Sequence, residues 1–204
     1  MAAMGAETWT LLVVSPFAGE GKTTVASNLA VMLAKADKRV VLVSADMRQP
    51  RLHELFELPN RQGLSDILSG SLSVEACLLP TDLPNLIVCP AGPVPLDPAE
   101  LLQSGSMSSL LETLREAADC VILDCPPILV VADALGLVPM SDASILVVDS
   151  VTTMRGAVAE ARNHLEQVGA RLLGGVLNNV PPPGRGGYGF GYGYGPTEVD
   201  VAGV

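Results

Sequence analysis

Ser15-Pro16-Phe17-Ala18-Gly19-Glu20-Gly21-Lys22-Thr23-Thr24 lies between an apolar run, Trp9 to Val14, and a segment with helical periodicity. That order of strand, glycine loop and helix reads as a phosphate-binding loop. Gly19 and Gly21 let successive backbone N–H groups turn inward around a polyphosphate, Lys22 brings a point charge, and Thr23 offers a hydroxyl to Mg²⁺. The helix that follows aims the positive end of its dipole at the same anion. Measured against G-x-x-x-x-G-K-[ST], Gly21, Lys22 and Thr23 match, while Pro16 stands where the first glycine belongs, so the loop is a variant of the motif.

Working outward, the apolar positions of the helix recur at Val25, Leu29, Met32, Leu33 and Ala36. Further strands are expected at 39–43, 86–89, 120–124, 143–149 and 172–178. Helices are expected at 51–56, 64–68, 98–102, 107–117, 133–137 and 154–168. Strands alternating with helices, each ending in a polar turn, predict an α/β fold: a doubly wound, mainly parallel sheet with helices on both faces and ligands at the carboxyl ends of the strands. No internal repeat is evident.

Composition agrees and excludes several function classes. The chain has 204 residues, 49% of them hydrophobic and 17% charged, enough for one well-buried domain. Aromatic residues make up only 3%, so the core must be aliphatic, as buried parallel strands require. A net charge of −10 argues against nucleic acid and anionic lipid as direct partners, since both are held by Lys and Arg. The four cysteines, Cys77, Cys89, Cys120 and Cys125, form no C-x-x-C pair and read as reduced core residues of a cytoplasmic protein. No run of 18 apolar residues and no leader pattern occurs, so direct membrane insertion is not expected.

Two strand ends carry acids. Asp46 follows the second strand in Val43-Ser44-Ala45-Asp46-Met47-Arg48-Gln49-Pro50, and Asp124 ends another in Ile122-Leu123-Asp124-Cys125-Pro126-Pro127. In a doubly wound phosphate-binding sheet both positions face the ligand, where a carboxylate holds Mg²⁺ or orients or deprotonates an attacking hydroxyl. An Asp after a strand is also a common helix N-cap. Pro126 and Pro127, which have no N–H to donate, exclude that for Asp124, whereas for Asp46 both readings stay open.

From Val180 the composition changes to three prolines and then Gly184-Arg185-Gly186-Gly187-Tyr188-Gly189-Phe190-Gly191-Tyr192-Gly193-Tyr194-Gly195. Such a segment has little apolar surface to offset its chain entropy and is expected to be a flexible tail. All three tyrosines of the protein lie in it, which a mere glycine linker does not explain.

The variant loop, the Ala45-Asp46-Met47-Arg48-Gln49-Pro50 and Ile122-to-Pro127 elements and the tyrosine-bearing tail together resemble the catalytic domain of the bacterial tyrosine kinases of capsule and exopolysaccharide synthesis, within the MinD/ParA-like P-loop proteins. The resemblance runs from about residue 9 to 195. It implies a kinase domain over 1–179 and a tail over 180–204. It implies ATP and Mg²⁺, with Ala18, Gly19, Glu20, Gly21, Lys22, Thr23 and Thr24 on the nucleotide. Thr23, Asp46 and Asp124 would hold the metal. Lys22, Asp46 and Asp124 would be catalytic, and Asn178 would read adenine. It further implies autophosphorylation between subunits on Tyr188, Tyr192 or Tyr194. It implies self-association as well, and a membrane adaptor of the polysaccharide co-polymerase type, separate or fused, that would hold the chain at the inner face of the plasma membrane.

This sequence departs from the family pattern at Ser44, where the family has a first acidic residue, and in starting almost at the first strand, where the family has a leading helix. Two other readings stay open at this point. One is a MinD/ParA-like switch ATPase, although Phe17 occupies the position of that group's additional lysine; the other is a nucleotide-binding regulatory module without catalysis.

Overall fold

In the computed structural model, which describes residues 8–182, the chain runs β1 (Trp9–Val14), α1 (Lys22–Lys35), β2 (Val40–Ser44), α2 (Leu52–Leu55), α3 (Leu64–Leu68) and α4 (Val74–Cys77). It continues with β3 (Leu79–Pro80), β4 (Leu86–Cys89), α5 (Pro98–Leu102), α6 (Gly105–Ala117) and β5 (Cys120–Asp124). A 3₁₀ helix (Asp133–Met140), β6 (Ala143–Asp149), α7 (Arg155–Gln167) and β7 (Leu172–Asn178) follow. The strands form one sheet in the order β3-β4-β2-β5-β1-β6-β7. The tail and its tyrosines lie outside the described residues.

β1 sits between β5 and β6, parallel to both, with Val13 opposite Asp124 and Leu11 opposite Ala143. Successive residues of a strand point to opposite faces, and both faces here are covered. Leu12 and Val14 pack with Leu123, Met107, Leu111 and Leu165 on one side, while Val13 packs with Leu42, Ile122, Ala26 and Ala30 on the other. No aromatic residue is among the buried core residues, in line with the composition.

The first helix forms where expected, with its buried face rotated. Ala26, Ser27, Ala30 and Ala34 face the sheet, whereas Met32 is 65% exposed. Alanines four apart let the helix axis lie close to the strands, so shape and not hydropathy selects the stripe. The 133–137 helix is a 3₁₀ helix extending to Met140, with Pro139 inside it; that proline has no N–H for a carbonyl four residues back. Two elements were not anticipated: α4 and the two-residue β3, the latter antiparallel to β4 (Leu79 opposite Val88). Pro80 is tolerated in β3 because the strand lies at the sheet edge.

All four cysteines are buried and free. Among the described residues no helix is long and apolar enough to cross a membrane. Leu42, fully buried between β2 and α1, provides the test of this core. Leu42→Ala is expected to lower the unfolding free energy by about 2–5 kcal/mol in urea titrations, with the circular dichroism of the folded state unchanged.

Candidate phosphate and metal site

Between β1 and α1 the backbone enters the left-handed region at Gly19 (φ 83°) and Gly21 (φ 88°). Gly21 has a second reason to lack a side chain, because a Cβ there would collide with the Asn178 amide. That amide donates to the Glu20 carbonyl oxygen at 3.0 Å. Among the described residues no side chain caps α1, so its first-turn N–H groups are left for an anion.

The Glu20 side chain turns inward. It is 2% exposed, its Oε1 accepts from the Phe17 N–H (2.9 Å) and its Oε2 from the Asp149 N–H (3.0 Å). The turn is further held by the Ser15 hydroxyl donating to the Phe17 carbonyl (2.6 Å), and by Ile128 and Leu129 N–H groups on the carbonyls of Ser15 and Pro16. Asp149 in turn accepts from Val151 and Thr152 N–H groups and from the Asn179 amide. Those bonds, Asn179 first, hold its carboxyl down to about 2.

The two predicted acids meet at the loop. The N–H groups of Ala45 and Asp46 both donate to the Asp124 carbonyl (2.9 and 3.0 Å), which brings the end of β2 against the end of β5. Asp124 is 1% exposed, and its Oδ1 has no hydrogen-bond partner among the described residues. Burial pushes its carboxyl up to about 7, against the pull of the Thr23 hydroxyl and the Lys22 ammonium. The Ser44 hydroxyl, opposite Asp124 in register, is likewise buried and unpartnered. Asp46 is partly buried, which raises its pKa, while the Gln49 N–H on its Oδ1 (3.0 Å) and Lys22 oppose the rise.

Two residues on, Arg48 forms a two-bond ion pair with the buried Asp133 (2.7 and 3.2 Å). The loop bearing Asp46 is thereby tied to the start of the 3₁₀ helix.

The loop and Asp46 border a cleft of about 440 Å³ lined by Ala18, Gly19, Gly21, Lys22, Thr23, Thr24, Asp46 and Gln49, together with Arg51, Glu54 and Leu55. A larger depression between Leu55–Leu58 and Pro80–Leu83 has Glu57 and Asp82 as its only charged groups and no cation for a phosphate. Of the predicted site residues, the loop positions apart from Glu20 reach the cleft together with Asp46. Asp124 lies beneath it. The Glu20 side chain braces the loop from inside, and Asn178 backs the loop with its amide nitrogen already engaged on Glu20.

Oxygen donors from Thr23, Asp46, Asp124 and Ser44, one of them an orphaned buried carboxylate oxygen, fit a small hard cation. Among the described residues no cluster of three or more His, Cys, Asp or Glu forms an all-protein cage. Mg²⁺, which takes one or two carboxylates and completes its shell with phosphate and water, suits such a site. Asp133, Asp149, Arg51 and the Glu20 brace were not anticipated. Asp133 lies 85 positions from Arg48, and no local pattern marks the pairing.

The AAA_31 family, described as an AAA domain, matches residues 12–172. The chain is 40% identical over 168 residues to the tyrosine-protein kinase YwqD of Bacillus subtilis, covering 82% of this chain and 71% of YwqD. The chain belongs to the bacterial tyrosine kinases. It is 35% identical over 171 residues to the tyrosine-protein kinase ptk of Acinetobacter johnsonii, where it spans 83% of its own length but 23% of ptk. Among solved structures, the kinase domain of the Escherichia coli tyrosine kinase ETK superposes with a TM-score of 0.84 at 33% identity, covering 94% of this chain and 74% of that one. The septum site-determining protein MinD of Pyrococcus horikoshii, complexed with Mg-ADP, gives 0.71 at 25% identity, with 83% and 70% covered. The doubly wound P-loop architecture is thus that of the kinase family and of its division-site cousins.

Two outcomes test the brace. Glu20→Ala leaves the buried Asp149 N–H without its acceptor and is expected to cost about 1–3 kcal/mol in urea unfolding. Because the folded pKa of Asp149 lies below its unfolded value near 3.8, its contribution is present above about pH 4 and is lost as pH falls toward 2. Asn179→Ala, followed by NMR titration of the Asp149 carboxyl, should move that pKa upward.

Proposed function

We propose that the chain transfers the γ-phosphoryl group of Mg-ATP to tyrosine hydroxyls. The acceptors include Tyr188, Tyr192 and Tyr194 on the tail of a neighbouring copy, and the role served is the regulation of capsule or exopolysaccharide synthesis. The observation that carries the reading is the gathering of Lys22, Thr23 and Asp46 on one cleft of about 440 Å³, with the buried Asp124 close to Lys22 and Thr23 beneath it. The relatives named as tyrosine kinases support the choice of reaction.

In this reading the loop N–H groups and Lys22 would hold the β- and γ-phosphates, and Thr23 and Asp124, with Asp46 beside them, would hold Mg²⁺, which when bound would neutralise phosphate charge. Asp46 accepts the tyrosine proton as the phenolic oxygen bonds to the γ-phosphorus and the bond to ADP breaks. Its raised pKa makes it the better base for that step. Ser44 offers no second carboxylate, so the proton has Asp46 as its one acidic-residue acceptor at this strand end. The Arg48–Asp133 pair is a positioning device that keeps Asp46 aimed at the cleft.

Residues 1–179 form the kinase unit and 180–204 the acceptor tail. In ptk the matching part is a fraction of a longer chain. A membrane adaptor of the polysaccharide co-polymerase type, fused or separate, is the partner this division implies, and it would bring self-associated copies to the inner face of the plasma membrane. Phosphates on an already acidic chain would then weaken such an assembly by repulsion.

Incubation with Mg-ATP, with and without adaptor peptides, followed by mass spectrometry of the tail, tests the reading. Phosphotyrosine is expected in the parent and should fall about a hundredfold or more in Lys22→Ala. ATP hydrolysis with an unmodified tail would instead assign the chain to the switch ATPases, and nucleotide binding without either reaction to a regulatory module. Asp133→Asn, which removes the charge and keeps the shape, is expected to slow tail phosphorylation about tenfold while leaving the nucleotide Kd unchanged.

A further inference from the structure

Asp46 borders two hollows. One is the phosphate cleft; the other, of about 80 Å³, shares Ala18, Asp46 and Gln49 with it. Whatever fills the smaller hollow therefore lies against the same carboxylate as whatever fills the larger. Phosphate chemistry does not call for the rest of its lining, which is Pro126, Pro127, Val130 and Val131 with Arg48. The Arg48 guanidinium is already bonded twice to Asp133. Val130 is 60% exposed, an apolar side chain that belongs to neither layer of the core.

The walls are in place before anything enters. The Val130 and Val131 N–H groups both donate to the Pro127 carbonyl (3.3 and 3.2 Å) and close a turn. Ile128 and Leu129 fasten that turn to the carbonyls of Ser15 and Pro16, where the phosphate loop begins. The two prolines fix their own backbone. At the β2 end, the Gln49 N–H on Asp46 and the Arg48–Asp133 pair hold residues 46–49. Such a lining suits a flat apolar ring with its polar atom at one end. A nucleobase, polar around its rim, would leave donors and acceptors unpaired against proline and valine. An enclosed cavity of about 150 Å³ holds benzene. A hollow of about 80 Å³ thus covers part of a ring and leaves the rest at the opening, as a ring attached to a polypeptide requires.

The geometry points to this hollow as the seat of the acceptor's aromatic ring: a tyrosine of a polypeptide substrate enters with its ring against Pro126, Pro127, Val130 and Val131 and its hydroxyl toward Asp46. This rests on the kinase reading and deepens it, because it gives a reason for tyrosine as the acceptor. Serine and threonine have no ring to bury there. The phenolic oxygen bonds to the γ-phosphorus as the bond from that phosphorus to ADP breaks, and the phenolic proton passes to Asp46. Walls that touch the ring alone hold it equally before and during transfer, so they act on KM and not on kcat.

The test uses the full chain carrying Tyr188→Ser, Phe190→Ser, Tyr192→Ser and Tyr194→Ser, so that no ring of the tail competes. In Mg-ADP it is titrated with the peptide Gly-Gly-Tyr-Gly-Gly while the Val130 and Val131 methyl signals are followed by NMR. Both are expected to shift, and Gly-Gly-Ser-Gly-Gly is expected to leave them in place. Adding Val130→Asn, at an exposed position, should weaken the tyrosine peptide about tenfold, read at Val131, with the Kd for Mg-ADP unchanged; Val130→Ile should restore binding. In Mg-ATP the KM for the same peptide should rise by the same factor in Val130→Asn at unchanged kcat. Methyl signals that ignore the tyrosine peptide, or respond equally to the serine peptide, overturn the inference. Phosphate transfer with equal KM in Val130→Asn overturns it and leaves the kinase reading standing. Ring-dependent binding without transfer overturns the kinase reading and keeps the ring site.

Discussion

A strand with hydrogen-bonded neighbours on both edges and packed side chains on both faces has only its ends left for chemistry, and β1 is such a strand. Because β5, β6 and β2 run parallel within the same sheet, their carboxyl ends converge on the end of β1. The phosphate loop, Asp46 and Asp124 each follow or end one of these strands. Their meeting is a consequence of parallel pairing, since antiparallel neighbours would have sent half of them to the far side of the sheet.

That convergence has an electrostatic cost which the fold leaves in place. Among the described residues, one oxygen of the buried Asp124 has no partner, and the Ser44 hydroxyl beside it is in the same position. A buried carboxylate without full compensation destabilises the folded chain and raises its own pKa. The same two oxygens are what a hard cation requires, so the strain sits where a ligand relieves it. Stability elsewhere is supplied by satisfied contacts: the Glu20 carboxylate spans the loop and the end of β6, and Arg48 neutralises Asp133. The loop is held from behind before any ligand arrives, which reduces the ordering entropy that binding must overcome.

Much of this was legible in the sequence because the signals are local. Strand runs bounded by polar turns, the glycine spacing at 19 and 21, and an Asp immediately after a strand each depend on a few adjacent residues. Where the reading missed, the cause was non-local or geometric. The apolar pattern of α1 pointed at Met32, but the close approach of helix to sheet favoured alanine. The 3₁₀ segment followed from Pro139, inside a pattern otherwise helical. Glu20 was placed with the loop residues on the nucleotide, and only the approach of β6 showed that its carboxylate turns inward to hold the loop instead.

By itself, then, the sequence determined the alternation of strands and helices, the nature of the phosphate loop and the identity of its acids, because backbone propensity, side-chain period and turn chemistry are written within short windows. Strand order, the burial of Asp124, the pairing of Arg48 with Asp133 and the Glu20–Asp149 brace were decided only by the tertiary structure. Each of these depends on segments tens of residues apart arriving at the same sheet end, and burial and hydrogen-bond partnership are properties of that arrival and not of any stretch of chain.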